Sequence, residues 1–167
     1  GVSSRALFDL EKENELFDKK GIGEFRKYQF EQEGTLLAPG TAFYLVKSLL
    51  ELNKQANKKI VEVVVMSRNS AETGMRVINS IEHYQLDITR LAFTGGQALN
   101  GYIAGYDVDL FLSKDIADVQ QVIDSQLCAA AVIYAPPKDF KPETSAVKIA
   151  FDADAVLFSD ESEYRYK

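Results

Sequence analysis

The sequence predicts an α/β fold: a mostly parallel sheet with helices on both faces. Apolar, β-branched runs alternate with longer stretches whose apolar positions recur at helical spacing. Strands joined through helices of that length run parallel, by right-handed crossovers. Polar residues also gather just after the strand-like runs, at Asp9 and Glu11, Ser67 to Ser70, Thr94 to Gly96, Ser113 to Asp115, and Asp152 and Asp154. Parallel sheets carry their sites at the carboxyl ends of strands, so these clusters point to one shared edge.

Taken in order, SSRALFDL (3–10) is a short apolar run that ends in an acid and reads as a first strand. Residues 12–33 are charged, with Leu16, Phe17, Phe25 and Tyr28 at roughly helical spacing. The turn APG (38–40) leads into TAFYLVKSLLELN, where Phe43, Val46, Leu49 and Leu50 form a helical stripe. IVEVVVMS (60–67) is rich in β-branched residues and predicts a buried strand. A helix follows, with Met75, Ile78, Ile81 and Tyr84 on one face. ITRLAFT (88–94) is the next strand, then the turn GG, a short helix near 97–104 and the strand VDLFLS (108–113). KDIADVQQVIDSQ is helical, and CAAAVIYA (128–135) is expected to be a buried strand. PPKDFKPETSA is a loop with three of the four prolines, and VKIAFDADAVLF follows it.

Composition narrows the function. A chain of 167 residues, 46% hydrophobic and 26% charged, suits one compact soluble domain. No apolar run is long enough for a transmembrane helix, and the start lacks the features of a signal peptide. The chain opens on Gly rather than Met, so we expect a native start elsewhere. The single cysteine, Cys128, sits in an apolar run and fits a reducing, cytoplasmic setting. A net charge of −6 with scattered basic residues argues against nucleic-acid binding. One histidine, His83, late on an amphipathic helix, provides for neither a Ser-His-Asp triad nor, with one cysteine, a zinc site. Assembly into a homo-oligomer stays open.

The chain also echoes itself. RALFDLEKENELFD (5–18) and KIAFDADAVLFSD (148–160) both run apolar, apolar, Phe, Asp, any residue, acid. The spacing from Asp9 to Asp152 is about the size of one domain, which predicts a duplication. Residues 1–140 would then be one unit, and 147–167 the first strand and motif of a second.

Phe-Asp-x-Asp-x-Val at a strand end suits phosphoryl transfer. The first carboxylate can attack phosphorus and carry the phosphoryl group; the second can protonate the leaving oxygen and then activate water. Mg²⁺, an oxygen-seeking cation, would quench the repulsion between carboxylate and phosphate. A hydroxyl such as Ser67 could hold a phosphate oxygen, or equally cap the following helix. Arg68 could grip phosphate or form a surface ion pair. The TGG turn (94–96) could cradle phosphate through its backbone N–H groups or be a plain tight turn.

SSRALFDLE, APGTAFYLVKSLLELN, MSRNSAETGMRVINSIEHYQLDITRLAFTGG, DLFLS, AAAVIY and IAFDADAVLFSDESE together resemble the type I cytosolic 5′-nucleotidases. The likeness runs over nearly the whole chain. It implies a three-layer, Rossmann-like α/β fold of the haloacid dehalogenase-like type, and Mg²⁺-dependent hydrolysis of nucleoside 5′-monophosphates in the cytoplasm. By position, Asp152 would be the nucleophile and Asp154 the acid/base, both also meeting the metal, with Ala153 where the family has Gly. The family's phosphate-binding hydroxyl, its Lys and its metal-binding Asp pair for this motif come later than residue 167.

Residues 1–140 resemble a worn copy of the same unit. There Asp9 takes the nucleophile position, Glu11 the acid/base position and Ser67 the phosphate-binding hydroxyl; Arg68, Asn69, Thr94, Gly95 and Gly96 would join it around a ligand. QALNGYI follows TGG without the expected Lys, and Leu112-Ser113 stands where an Asp pair would. Three readings follow: a partial 5′-nucleotidase, a non-catalytic nucleotide-binding or dimerisation module of that enzyme, or a composite site in which Asp9 and Asp154 meet.

Overall fold

The computed structural model describes residues 1–137, 139–142, 146–153 and 157. The first element differs from its sequence reading. The strand β1 is Val2–Ser3, and the chain turns at once into a helical turn, α1, at Ser4–Leu7. Ser3 causes the switch: it sits in extended conformation (φ −71°, ψ 147°) and its Oγ accepts the Ala6 N–H at 3.2 Å. A serine cap followed by Arg, Ala and Leu, all strong helix formers, starts a helix. An apolar run this short fits a buried strand or a buried helix equally well on pattern alone.

The helix α2, Glu11–Glu31, is broken at Gly21, whose φ of 76° and ψ of −175° no interior helical residue adopts. Glycine reaches that conformation without a Cβ penalty, so the two halves fold toward each other. Their contact is an edge-to-face pair, Phe17 against Phe25, with ring centroids 5.7 Å apart.

The remaining elements follow the expected order. They are α3 (Phe43–Ala56), β2 (Val64–Ser67), α4 (Met75–His83), β3 (Arg90–Phe93), α5 (Asn100–Ile103) with a 3₁₀ turn at Ala104–Tyr106, β4 (Leu110–Ser113), α6 (Ile116–Ser125) and β5 (Ala129–Val132). The sheet is parallel throughout, in the order β3-β2-β1-β4-β5. Strand β2 shows why both faces are covered. Val63 and Val65 join a core with Leu7, Phe8, Phe43, Val46, Val77 and Ile81, on the side of α1, α3 and α4. Val64 and Met66 join Leu99, Ile103, Phe111, Val119 and Val122, on the side of α5 and α6. An apolar run without alternation is what a strand buried on two faces requires. The result is the three-layer, Rossmann-like α/β fold that the sequence predicts.

The turn at 38–40 clamps α1. Phe8 bridges Pro39, Asp9 N–H reaches the Ala38 carbonyl at 2.9 Å, and Gly40 N–H reaches the Leu7 carbonyl at 2.9 Å. A Cβ on Gly40 would lie 2.6 Å from the Ala6 carbonyl oxygen and 2.7 Å from the Phe8 carbonyl carbon. Both are backbone atoms and cannot swing aside. Gly40→Ala is therefore expected to cost about 1–3 kcal/mol, read as a Tm lower by roughly 3–10 °C in calorimetry.

Of the closing segment, residues 146–152 carry no strand and none of them joins the sheet. Asp154 and most of the motif around it lie outside the described residues.

Candidate functional site

The strand order reverses direction between β1 and β4: the chain builds β1, β2 and β3 to one side, then β4 and β5 to the other. Ligands in open parallel sheets bind at such a reversal, beyond the carboxyl ends of the strands. A cleft of about 480 Å³ opens there. Its floor lies at the carboxyl ends of three adjacent strands: Ser3 of β1 with Ser4 just after it, Ser67 of β2 and Ser113 of β4. Its roof is the kinked α2, through Phe17, Ile22 and Phe25, and Arg26 stands at the rim.

The serines are tied to one another and to the backbone. Ser4 Oγ and Ser67 Oγ are 2.9 Å apart. Ser67 Oγ also accepts the Asn69 N–H at 3.2 Å, and Ser113 Oγ accepts the Asp115 N–H at 3.1 Å. All four are at least nine-tenths buried. The sheet register explains the pairs: Ser3 lies opposite Met66, one step before Ser4 and Ser67, and Val2 lies opposite Leu112, one step before Ser3 and Ser113.

Charged groups ring the floor in pairs. Arg68 Nη2 bonds Asp118 Oδ1. Burial pushes the Asp118 carboxyl above its usual range, Arg68 pulling the other way and Asp115 adding to the rise. Asp115 caps α6, its Oδ1 accepting the Asp118 N–H at 3.0 Å. Arg76 and Glu13 form a buried ion pair at 2.6 Å behind the cleft.

Of the acid pair expected in this unit, neither member lines the cleft. Because α1 intervenes, Asp9 is five residues beyond Ser4 and is exposed, its Oδ1 accepting the Glu11 N–H at 3.2 Å. Glu11 opens α2 and is held by Arg5 (3.1 and 2.7 Å) and Lys114 (2.6 Å). The Arg5 hydrogen bonds, then Lys114, lower its pKa from near 4.5 to about 2. A carboxylate with a lowered folded-state pKa stabilises the fold above its unfolded pKa, and the gain disappears as pH falls through the folded one. Stability from Glu11 is therefore full above about pH 4.5 and gone below about pH 2. The side chain is 43% exposed, so solvent screening keeps the effect of Glu11→Gln below about 1 kcal/mol at pH 7. Urea melts of both proteins should converge as pH approaches 2, and parallel curves down to that pH would contradict this account.

Ser67, Arg68, Asn69, Gly95 and Gly96 do line the cleft, together at the ends of β2 and β3. Thr94 sits just outside, its Oγ1 donating to the Gln97 carbonyl at 2.7 Å. The turn's N–H groups are already bonded: Thr94 to the Ser67 carbonyl (2.9 Å), Gly95 to that of Asn69 (3.0 Å) and Gly96 to that of Arg68 (2.7 Å). The turn thus fastens the 67–69 loop and offers no free backbone donor in this conformation. Asp152 is exposed and lies away from the cleft lining. Ser3 and Ser4 were not singled out in the sequence. The available signal was that three strands each end in apolar-apolar-Ser or apolar-Ser-Ser (VSS, VMS, FLS).

The cleft does not fit a divalent cation. Glu13 and Asp118 are ion-paired, Asp115 caps a helix, and among the described residues no three carboxylate, imidazole or thiol groups converge. Among them, too, no helix is long and apolar enough to cross a membrane.

The parallel sheet and its strand-end cleft define the chain as a doubly wound α/β protein. A sequence model of the 5′-nucleotidase family matches residues 1–167. The human protein cytosolic 5′-nucleotidase 1B is 36% identical over 169 aligned positions, which cover 98% of this chain and 28% of that protein. The chain belongs to the 5′-nucleotidase family, a family of phosphoric monoester hydrolases. It spans 28% of the length of that relative. No solved structure matches it.

Proposed function

We propose that this protein is a cytoplasmic 5′-nucleotidase that hydrolyses nucleoside 5′-monophosphates to nucleoside and phosphate, with Asp152 as nucleophile and Asp154 as acid/base. The reading is carried by the family match over residues 1–167 together with the motif FDADAVLFSDE at 151–161. A carboxylate oxygen of Asp152 attacks phosphorus and the bond to the 5′-oxygen breaks. Asp154 gives its proton to that oxygen and nucleoside leaves. Asp154 then takes a proton from water, which attacks the aspartyl phosphate, frees phosphate and restores Asp152. The oxygens of Asp152 and Asp154 suit Mg²⁺, which would neutralise charge on the phosphoryl group.

A second reading concerns the 1–137 portion. In it the unit is a non-catalytic nucleotide-binding module of the same enzyme, with Ser67, Arg68, Asn69, Gly95 and Gly96 around the ligand. The observation in its favour is that β1 ends in serines, where a phosphoryl-accepting unit needs a free carboxylate. The test is phosphate release from nucleoside monophosphates, with Mg²⁺ and with EDTA. Release that needs the metal supports hydrolysis. Nucleotide binding without release, in protein extending past the motif, would favour the module.

A further inference from the structure

We infer that the cleft above β1, β2 and β4 is an oxyanion site for an organic phosphate monoester, one that binds its ligand without cleaving it. The inference rests on the second reading above and deepens it, by naming the groups that hold the ligand and the part of the ligand they hold; it stands whether or not Asp152 is the nucleophile.

A count of hydroxyl protons carries it. Ser3 Oγ accepts from Ala6 N–H, and Ser113 Oγ accepts from Asp115 N–H. Neither hydroxyl has an acceptor for its own proton among the described residues. Ser4 and Ser67 share one hydrogen bond between two hydroxyls, and Ser67 accepts from Asn69 N–H as well, so one of their two protons is also left over. Three O–H donors therefore face the cleft, buried and without a protein acceptor, at the ends of three neighbouring strands. A buried donor needs an acceptor, and in the free cleft only water can supply one. An acceptor-rich ligand resolves all three at once, and a phosphate group has three free oxygens.

Cationic help in the cleft is local and not net. Arg5, Arg26 and Arg68 line it with Glu13, Asp115 and Asp118. Glu11 offsets Arg5, Arg76 offsets Glu13 and Arg68 pairs with Asp118, which leaves Arg26 against Asp115 and no surplus of either sign. Arg68 binds Asp118 through one nitrogen only, so the rest of its fork is open to a second anion. The ligand is larger than the ion. The volume lies within the range of small-molecule sites, about 300–1,000 Å³, and Phe17, Phe25 and Leu99 give an apolar wall beside the polar floor. Cleavage has no means here: Glu13 and Asp118 are ion-paired, Asp115 caps α6, and the lining holds no histidine to deprotonate a serine.

The test uses the whole chain carrying Asp152→Asn, in EDTA, titrated with adenosine 5′-monophosphate and separately with inorganic phosphate. Amide chemical shifts and calorimetry are the readouts. The monophosphate is expected to bind, with inorganic phosphate competing more weakly, and to shift the amides of Ser4, Ser67, Asn69 and Ser113. Ser113→Ala and Arg68→Gln should each weaken binding by roughly tenfold or more, the usual effect of one charged hydrogen bond, with Tm confirming that the variants fold. Equal affinity for both probes would show a site for the ion alone and overturn the organic ligand. Absence of binding at 10 mM probe, about the weakest level a specific site would show, or shifts confined to residues 146–167, would overturn the site. Neither result touches the role of Asp152, which phosphate release measures separately.

Discussion

Asp152→Asn is expected to reduce phosphate release from nucleoside monophosphates by ~10³ or more, the scale on which losing a nucleophile is felt. The amide keeps the shape of the carboxylate but removes the charge that attacks phosphorus. Asp9→Asn is the matched control. Asp9 occupies the corresponding place in the sequence echo, yet it is exposed and outside the cleft. Its replacement should leave the rate within a factor of two, on the order of measurement error for a surface change. The reverse pattern, with Asp9→Asn inactive and Asp152→Asn active, would move the chemistry to the first unit and end the proposal. Loss in both variants with unchanged Tm would favour a composite site instead.

Arg76→Met is expected to destabilise the fold by about 3–5 kcal/mol, because it strands a buried carboxylate. Arg76 is 5% exposed and Glu13 6%. Arg76 Nη1 donates to Glu13 Oε1 at 2.6 Å and to Gln29 Oε1 at 2.9 Å, and its Nε donates to the Thr35 carbonyl at 3.0 Å. Glu13 and Gln29 lie on opposite sides of the Gly21 break. One guanidinium thus holds both halves of α2 over the cleft. Methionine fills similar volume but cannot neutralise Glu13. The double variant Arg76→Met with Glu13→Leu should recover most of the loss, since two apolar groups of matching volume need no partner. Urea denaturation of the three proteins measures this. A double variant as unstable as the single one would show that packing by Arg76, and not charge, holds α2.

The fold was largely legible before any coordinates. β2, β3, β4 and β5 form within the runs read as strands; β2 is buried throughout, as a short β-branched block requires, whereas β5, expected to be buried, is an edge strand with no buried residue. The helices at 43–56 and 116–125 show a stripe for the complementary reason, one face buried and the other in water. At 75–83 the buried face is instead Arg76, Val77, Ser80 and Ile81, so of the expected stripe only Ile81 is buried and Met75 is exposed. The first element was misread as a strand over 3–10. Ser3 is a cap signal, but the apolar block after it carries no period to separate a strand from one helical turn. That single difference moved Asp9 away from the strand end and put Ser3 and Ser4 there.

The cleft was legible in part. Ser67, Arg68 and Asn69 stood out because polar residues followed a clear strand. Sequence could not show that Thr94, Gly95 and Gly96 use their N–H groups on the 67–69 loop, since that depends on β2 and β3 being neighbours. Nor could it show that Glu11 joins Lys114, 103 residues away, or that Arg68 joins Asp118, 50 away.

By itself, then, the sequence determined the layered α/β architecture, because burial on one face or two writes a period into the chain. It also determined the family, through motifs spread along its length. The tertiary structure alone decided which strand ends meet, which charges cancel and which hydroxyls are left with a proton to give. Those are properties of groups brought together from distant positions, and no local pattern of residues encodes the distance between them.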